Sequence, residues 1–288
     1  MDGKLYLRAG SAGDGPFSLA VTPERAGWRY SGLRSLELCP GVARTWATGD
    51  EEMLVLPLSG SAVVTCAGAT FELQGRRDVF SRVSDFCYVP RDTLVTVTSS
   101  GGGTFAIPSA RCANKLAPRY GPAEAVPVEL RGAGQASRQV NNFCTPEAFE
   151  CDKLIAVEVL TPGGNWSSYP PHKHDEARPG EESELEEIYY FVTRGLAYQR
   201  VYGTVDRPAD VLAAVGTGDV VLIPHGWHGP SMAAPGYDLY YLNVMAGPAA
   251  ERAWLTCDDP AHAWIRGTWR DQGLDPRLPM TSATEPER

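Results

Sequence analysis

Apolar residues in this chain fall into short runs separated by breaks that contain Gly or Pro, and many of the runs are rich in Val, Leu, Tyr and Phe. Runs of about four to eight residues with this content predict β-strands and tight turns rather than long helices. The first half offers strands at 28–38, 52–58, 61–66, 70–73, 85–89, 94–98 and 103–107. The second half repeats the rhythm at 154–160, 167–174, 187–193, 197–205, 219–223 and 239–244. The predicted class is all-β.

The rhythm repeats in letters as well as in spacing. Glu51-Glu-Met-Leu-Val-Leu-Pro-Leu-Ser-Gly60 echoes Glu186-Glu-Ile-Tyr-Tyr-Phe-Val-Thr-Arg-Gly195, and Asp85-Phe-Cys-Tyr-Val-Pro90 echoes Asp219-Val-Val-Leu-Ile-Pro224. At 288 residues and 43% hydrophobic, the chain is long enough for two cores of similar size. A duplicated barrel follows: a first unit at 1–112, a crossover at 113–150, a second unit at 151–274, and a Pro-rich charged tail at 275–288 read as irregular.

Charge narrows the partners. A net charge of −9 without any Lys/Arg block argues against a nucleic-acid surface. No stretch approaches the roughly 18 apolar residues of a membrane span, and the first residues lack the basic-then-apolar layout of a signal peptide, so the expected location is cytoplasmic. Seven cysteines without a C-x-x-C pair read as buried small hydrophobes in a reducing compartment.

The chemistry concentrates in the second unit. Residues 1–150 contain no histidine, and three of the chain's five lie in one constellation: His172-Lys173-His174, then Glu187, then His228. On an extended chain His172 and His174 share a face, and Lys173 points away. Glu187 opens one predicted strand and His228 follows another, so a barrel interior would bring all four together. Glu186 and Glu182 compete with Glu187 for the carboxylate position, and His225 competes with His228. Three imidazoles and a carboxylate suit Zn²⁺, Mn²⁺ or Fe²⁺ better than Ca²⁺ or Mg²⁺. The first unit keeps the strands but not the ligands, with Arg44, Glu51 and Arg91 as its groups able to reach a ligand. A unit with no site of its own suggests pairing of chains through that barrel.

These motifs resemble the paired motifs of the cupin superfamily: Gly, five residues, His-x-His, three or four residues, Glu, six residues, Gly; then Gly, five residues, Pro-x-Gly, two residues, His. The resemblance implies two tandem cupin barrels (double-stranded β-helix, or jelly roll), a bicupin. The chain departs from the pattern in placing twelve residues between His174 and Glu187, and in bringing His228 one position early after Gly218 and Pro224. Ser167-Ser-Tyr-Pro-Pro-His-Lys-His-Asp-Glu176, Glu182-Ser-Glu-Leu-Glu-Glu-Ile-Tyr-Tyr190, Pro57-Leu-Ser-Gly60 and Pro235-Gly-Tyr-Asp-Leu-Tyr-Tyr-Leu-Asn-Val-Met-Ala-Gly247 narrow the likeness. Together they resemble the 5-deoxy-glucuronate isomerase family of myo-inositol catabolism, insertion included.

That resemblance implies a metal-dependent aldose–ketose isomerisation of 5-deoxy-D-glucuronate to 5-dehydro-2-deoxy-D-gluconate through an enediol. The related 4-deoxy-L-threo-5-hexulose-uronate ketol-isomerases of pectin breakdown are the runner-up. A cupin oxygenase, which would need Fe²⁺ and consume O₂, and a non-catalytic sugar-acid binder are the remaining classes. Isomerisation needs a proton-shuttling base, for which Glu182, Glu184 and Glu186 of the acidic loop are candidates. Tyr189 lies two residues past Glu187 on the same face, and Tyr241 and Asn243 share a face of the strand that follows. The substrate carboxylate calls for a planar cation, and Arg178 and Arg200 are the candidates.

Overall fold

The computed structural model describes residues 4–284. Its regular structure is almost entirely antiparallel strand, curled into two barrels, as the sequence pattern predicts. None of its helices is long and apolar enough to cross a membrane.

A nine-stranded sheet forms the first barrel. The two strands expected at 52–58 and 61–66 are one, Glu51–Cys66, whose first half pairs with Gly103–Arg111 and Phe86–Val89 and whose second half pairs with Ala69–Arg76 and Leu94–Ser99. Gly60 makes the bend between the halves. Its φ is +82°, and a Cβ there would stand 2.3 Å from the Gly102 carbonyl oxygen, so only glycine fits. The interior of this barrel is filled by Leu36, Met53, Val55, Val64, Val97 and Phe105.

The second barrel sets a seven-stranded sheet against a six-stranded one. Val157, Val159, Phe191 and Val221 from the first sheet pack with Ala197 and Val201 from the second. Both barrels bury polar side chains, but among the described residues only this one buries imidazoles: His174 and His228 lie inside with Glu187, Gln199, Ser231 and Asn243, all inaccessible or nearly so. Buried polar groups cost free energy unless paired or put to use, so this contrast marks where the chemistry lies.

Two pieces outside 151–274 join the second barrel's sheet. Tyr6–Leu7 pairs with Val220–Ile223, and the crossover supplies Arg138–Asn142, paired with Ile155–Thr161, and Val128–Arg131 beyond it. The tail has no helix or strand in its described part but is docked: Gln139 accepts from the backbone N–H groups of Met280 (2.7 Å) and Thr281 (3.1 Å). Ser282 in turn accepts from Val83 N–H in the first barrel.

The barrels share one apolar core, with Leu54, Leu56 and Leu58 meeting Ile188, Tyr190, Leu242 and Val244. Two carboxylates clasp it reciprocally. Glu186 accepts the N–H groups of Arg29 (2.7 Å), Tyr30 (2.7 Å) and Ser31 (2.9 Å), where the first barrel's strand Ser31–Leu38 begins. Glu52 accepts those of Asp152 (2.8 Å), Lys153 (2.6 Å) and Leu154 (2.7 Å), where the second barrel's Ile155–Thr161 begins. The two glutamates are thus structural counterparts, and in register Met53 of the first barrel falls where Glu187 stands in the second.

Candidate metal centre

The chain reaches the centre through an irregular stretch. The strand expected at 167–174 is broken into Trp166–Ser167 and His172–Lys173, because Pro170 and Pro171 have no N–H to give to a ladder. His172 lies directly across from His228 in the antiparallel pairing, and their ring centroids are 4.4 Å apart. His174 follows just beyond the strand, its ring 4.8 Å from that of His228.

The residues between His174 and Glu187 fold back on themselves. Asp175–Arg178 and Glu182–Glu184 form a two-stranded ribbon, and Leu185 N–H closes it by donating to the His174 carbonyl at 2.9 Å. The departure from cupin spacing is therefore only apparent, because the ribbon returns Glu187 to His174. The early position of His228 has a local cause too. Its strand, Trp227–Ala233, takes up one extra residue at Gly229-Pro230 against Ala197–Tyr202, so His228 and Ser231, three apart, both point inward.

His174, Glu187 and His228 offer ligand atoms within 4.8 Å of one another, all buried, and His172 flanks them. Glu187 Oε2 lies 3.0 Å from His174 Nε2 and 3.1 Å from His228 Nε2. The other ring nitrogens face carbonyl oxygens: His172 Nδ1 lies 3.2 Å from that of Pro170, and His228 Nδ1 3.4 Å from that of Gly226. A proton on each Nδ1 satisfies those carbonyls and leaves a lone pair on each Nε2. In that tautomer His228 Nε2, which has no hydrogen-bond partner, confronts a carboxylate oxygen, and a cation would turn the repulsion into two bonds. The donor set fits a divalent transition metal.

Electrostatics agree. Burial, followed by the charges of His228 and His174, pushes the His172 pKa well below the ordinary imidazole value, which favours a neutral ligand. Burial would raise Glu187, but the facing His228 and His174 outweigh it and lower its pKa to about 2. Burial likewise opposes a charge on His174, and Glu187 more than compensates, leaving that pKa raised.

The competing residues are occupied elsewhere. Glu186 points to the opposite face of its strand and holds the first barrel. His225 sits in the turn before His228, and His262 lies exposed outside the barrel. Glu182 is buried but saturated: Lys173 Nζ (2.8 Å), Arg178 Nε (3.0 Å) and Asp175 N–H (2.9 Å) donate to it. Its pKa is lowered, these partners overcoming burial, so it is a poor proton carrier. We expect Glu182→Gln to cost on the order of 2 kcal/mol of ribbon stability, read by limited proteolysis, and to leave metal retention intact. Glu187→Gln should do the reverse; metal loss in Glu182→Gln alone would move the ligand into the ribbon.

Glu184 is exposed on the ribbon. Arg178 is spent on Glu182. Arg200, expected to project into the barrel, does not: Ala197, Gln199 and Val201 face inward, so Arg200 lies on the outer face and pairs with Asp210. Tyr189, Tyr241 and Asn243 do line the interior. The two tyrosine rings stack at 4.9 Å and 15°, and Tyr189 approaches the His228 ring edge-on at 6.0 Å. Asn243 is directly across from Tyr189, and its Nδ2 is buried without a partner.

Two residues emerge that the sequence reading passed over. Ser168 Oγ is 2.5 Å from the Tyr189 hydroxyl, and Ser168 has φ +50°, a strained conformation for a residue with a Cβ. Arg138 is a buried cation on the inner face of Arg138–Asn142. In the first barrel the buried carboxylate of Glu51 is closed off by a cation: Arg34 donates to it at 2.8 and 2.9 Å, and Ser109 Oγ lies 2.5 Å from it.

Comparison with known proteins agrees with this architecture. The sequence model of the KduI/IolB family matches residues 5–265. A 5-deoxy-glucuronate isomerase of Geobacillus kaustophilus (strain HTA426) is 43% identical over 250 residues, 85% of this chain and 89% of the relative. One of Bacillus subtilis (strain 168) is 38% identical over 85% of this chain and 91% of its own length. The crystal structure of an IolB-like protein from Salmonella typhimurium LT2 superposes with a TM-score of 0.84 at 35% identity, covering 91% of this chain and 99% of that one. The oxalate decarboxylase of Lactobacillus farciminis shares the fold at a TM-score of 0.63 and 14% identity, with 88% of each chain covered.

Proposed function

From the premise that this chain belongs to the KduI/IolB family, we infer that it is an aldose–ketose isomerase converting 5-deoxy-D-glucuronate to 5-dehydro-2-deoxy-D-gluconate. The observation that carries the reading is a buried imidazole–carboxylate cluster inside a largely apolar barrel, in a chain 43% identical to a 5-deoxy-glucuronate isomerase. In the reaction the aldehyde carbon becomes a hydroxymethyl group and its neighbour becomes the ketone. One carbon-bound proton and one hydroxyl proton change places through an enediol, and no oxidant is consumed.

His172, His174, Glu187 and His228 would hold the divalent metal, Zn²⁺ or Mn²⁺ first and Fe²⁺ third. Bound there, it supplies Lewis-acid stabilisation of the negative charge that develops on the sugar oxygens. The rest falls to the chain's own side chains. Burial, with the charge of Glu187 added, raises the Tyr189 pKa well above that of a free phenol, so its hydroxyl holds its proton. Ser168 Oγ fixes that hydroxyl and Tyr241 fixes its ring, so the proton is offered to a sugar oxygen from a set direction. Asn243 Nδ2 supplies a second donor. The surrounding strands keep bulk water from the enediol. Tyr189, held protonated beside the cluster, is therefore the donor that protonates a sugar oxygen as the enediol forms and collapses.

We expect Tyr189→Phe to lower kcat by about 100-fold, the low end for a positioned acid or base, with little change in KM or metal content. Equal kcat in wild type and variant would remove Tyr189 from the mechanism. The reading as a whole is tested by proton NMR with 5-deoxy-D-glucuronate in D₂O without oxygen. Conversion that stops on chelation and returns with metal is expected. No conversion by metal-loaded protein would redirect the assignment to the pectin-derived hexuronates.

A further inference from the structure

An acidic sugar needs a cation, and both arginines expected from the sequence are committed elsewhere. Arg138 is not. It is 5% exposed, and its strand alternates so that Arg138 shares a face with Val140, which belongs to the second barrel's interior beside Val159, Tyr189 and Tyr241. Its Nη1 donates to two carbonyl oxygens at long distance, Ala136 (3.2 Å) and Tyr169 (3.3 Å). Among the described residues, neither Nη2 nor Nε has a hydrogen-bond partner, and no carboxylate pairs with it.

Other inward arginines show what a structural role looks like here. Arg76 is paired with Glu158, and Arg34 with Glu51. Arg252 lacks an acid, but the carbonyls of Cys144, Leu154 and Phe149 occupy its two terminal nitrogens. A largely buried guanidinium whose Nε and Nη2 donors, three of five, meet no protein acceptor is costly unless an anion completes it.

Arg138 also lies beside the metal cluster. The Tyr169 carbonyl that it holds is next in the chain to the Pro170 carbonyl facing His172 Nδ1. The Trp269 ring lies 5.8 Å from its guanidinium carbon, covering one face and leaving an edge for a ligand. Burial, with repulsion from Arg131 and Arg266, lowers its pKa to about 10, so it remains charged at neutral pH.

Building on the isomerase reading, we propose that Arg138 binds the carboxylate of the substrate, placing the aldehyde end at the imidazole–carboxylate cluster and selecting a uronate over a neutral sugar. A planar fork with two free donors matches a carboxylate, and pairing inside a barrel strengthens the contact.

The test compares 5-deoxy-D-glucuronate with the neutral sugar that carries a C6 alcohol in place of the carboxylate. In R138M, kcat/KM for the uronate should fall roughly 100-fold or more, as for truncation of one partner of a buried charge pair. The loss should fall mainly on KM, with kcat/KM for the alcohol and the metal content unchanged. The melting temperature of ligand-free R138M should equal or exceed that of wild type, because an unpaired buried charge has been removed. Equal losses on both sugars, or an unchanged uronate preference, would overturn the proposal. Should R138M fail to fold, R138K reads the same preference, with about a tenfold loss on the uronate alone expected from the missing fork; no selective loss counts against it. If wild type converts neither sugar, the isomerase reading fails. Arg138 is then judged by calorimetry of the uronate with wild type and R138K, where equal affinities refute it.

Discussion

His228→Ala is expected to abolish retention of a divalent metal through gel filtration and to lower turnover of 5-deoxy-D-glucuronate by roughly three orders of magnitude or more. The size follows from a Lewis acid being worth several kcal/mol at developing charge, with each 1.4 kcal/mol equal to tenfold in rate. His228 is one of three buried residues whose donor atoms lie within 4.8 Å of one another, and its Nε2 has no other partner. Its loss leaves His172, His174 and Glu187 without the imidazole that faces Glu187 Oε2 at 3.1 Å, an incomplete set that should not retain the metal through gel filtration. His174→Ala should behave in the same way. His225→Ala and His262→Ala serve as controls and keep metal and activity, since one lies in the turn and the other outside the barrel. Elemental analysis of each purified variant decides the matter. Full occupancy in His228→Ala would mean that another residue completes the centre.

The imidazoles were legible in the sequence because histidine is scarce here and their spacing is particular. The carboxylate was less so. Glu186 and Glu187 are adjacent, and adjacent strand residues point to opposite faces, so a one-residue uncertainty in phase exchanges a ligand for an interface clasp. The quoted repeat carries the same ambiguity. Matching Glu51-Glu52 to Glu186-Glu187 letter by letter pairs the wrong faces, because the clasping glutamate comes second in the first barrel and first in the second. A strand irregularity between Pro57 and Ser59, where the first barrel carries one extra residue, shifts the register once more, and nothing in the letters announces it.

Arg200 shows the same limit from the other side. In Tyr198-Gln-Arg-Val-Tyr202 both parities mix apolar and polar residues, so only the pairing with Ala233 and Ser231 fixes which set faces inward. Arg138 was hidden for a different reason. It lies in a Gly- and Ala-rich stretch without apolar periodicity, read as crossover, and it becomes a barrel strand only because Ile155–Thr161 is there to pair with it. Ser168 carries no pattern at all. Its importance rests on a positive φ and one hydrogen bond, both products of tertiary structure.

Arg76→Met, by contrast, leaves the metal centre untouched and is expected to destabilise the protein by about 3–5 kcal/mol, the usual consequence of stranding one partner of a buried ion pair. Arg76 of the first barrel meets Glu158 of the second at 2.8 Å, with both side chains fully buried. The pair is closed on every side. Arg76 Nε donates to the Pro57 carbonyl at 2.9 Å and Nη1 to that of Arg82 at 3.1 Å, while Asn141 Nδ2 donates to Glu158 at 2.7 Å. Removal of the guanidinium leaves a carboxylate in an apolar interface with only an amide for company. The melting temperature should drop by on the order of 10 °C for a protein of this length. Glu158→Leu alone should cost a similar amount by stranding Arg76. The double variant Arg76→Met/Glu158→Leu removes both charges and should recover most of the loss, because a buried pair repays little more than its own desolvation. Additive losses in the double variant would show instead that the pair contributes net stability. The barrels would then be held by charge as much as by the apolar faces of Leu54, Leu56, Ile188 and Val244.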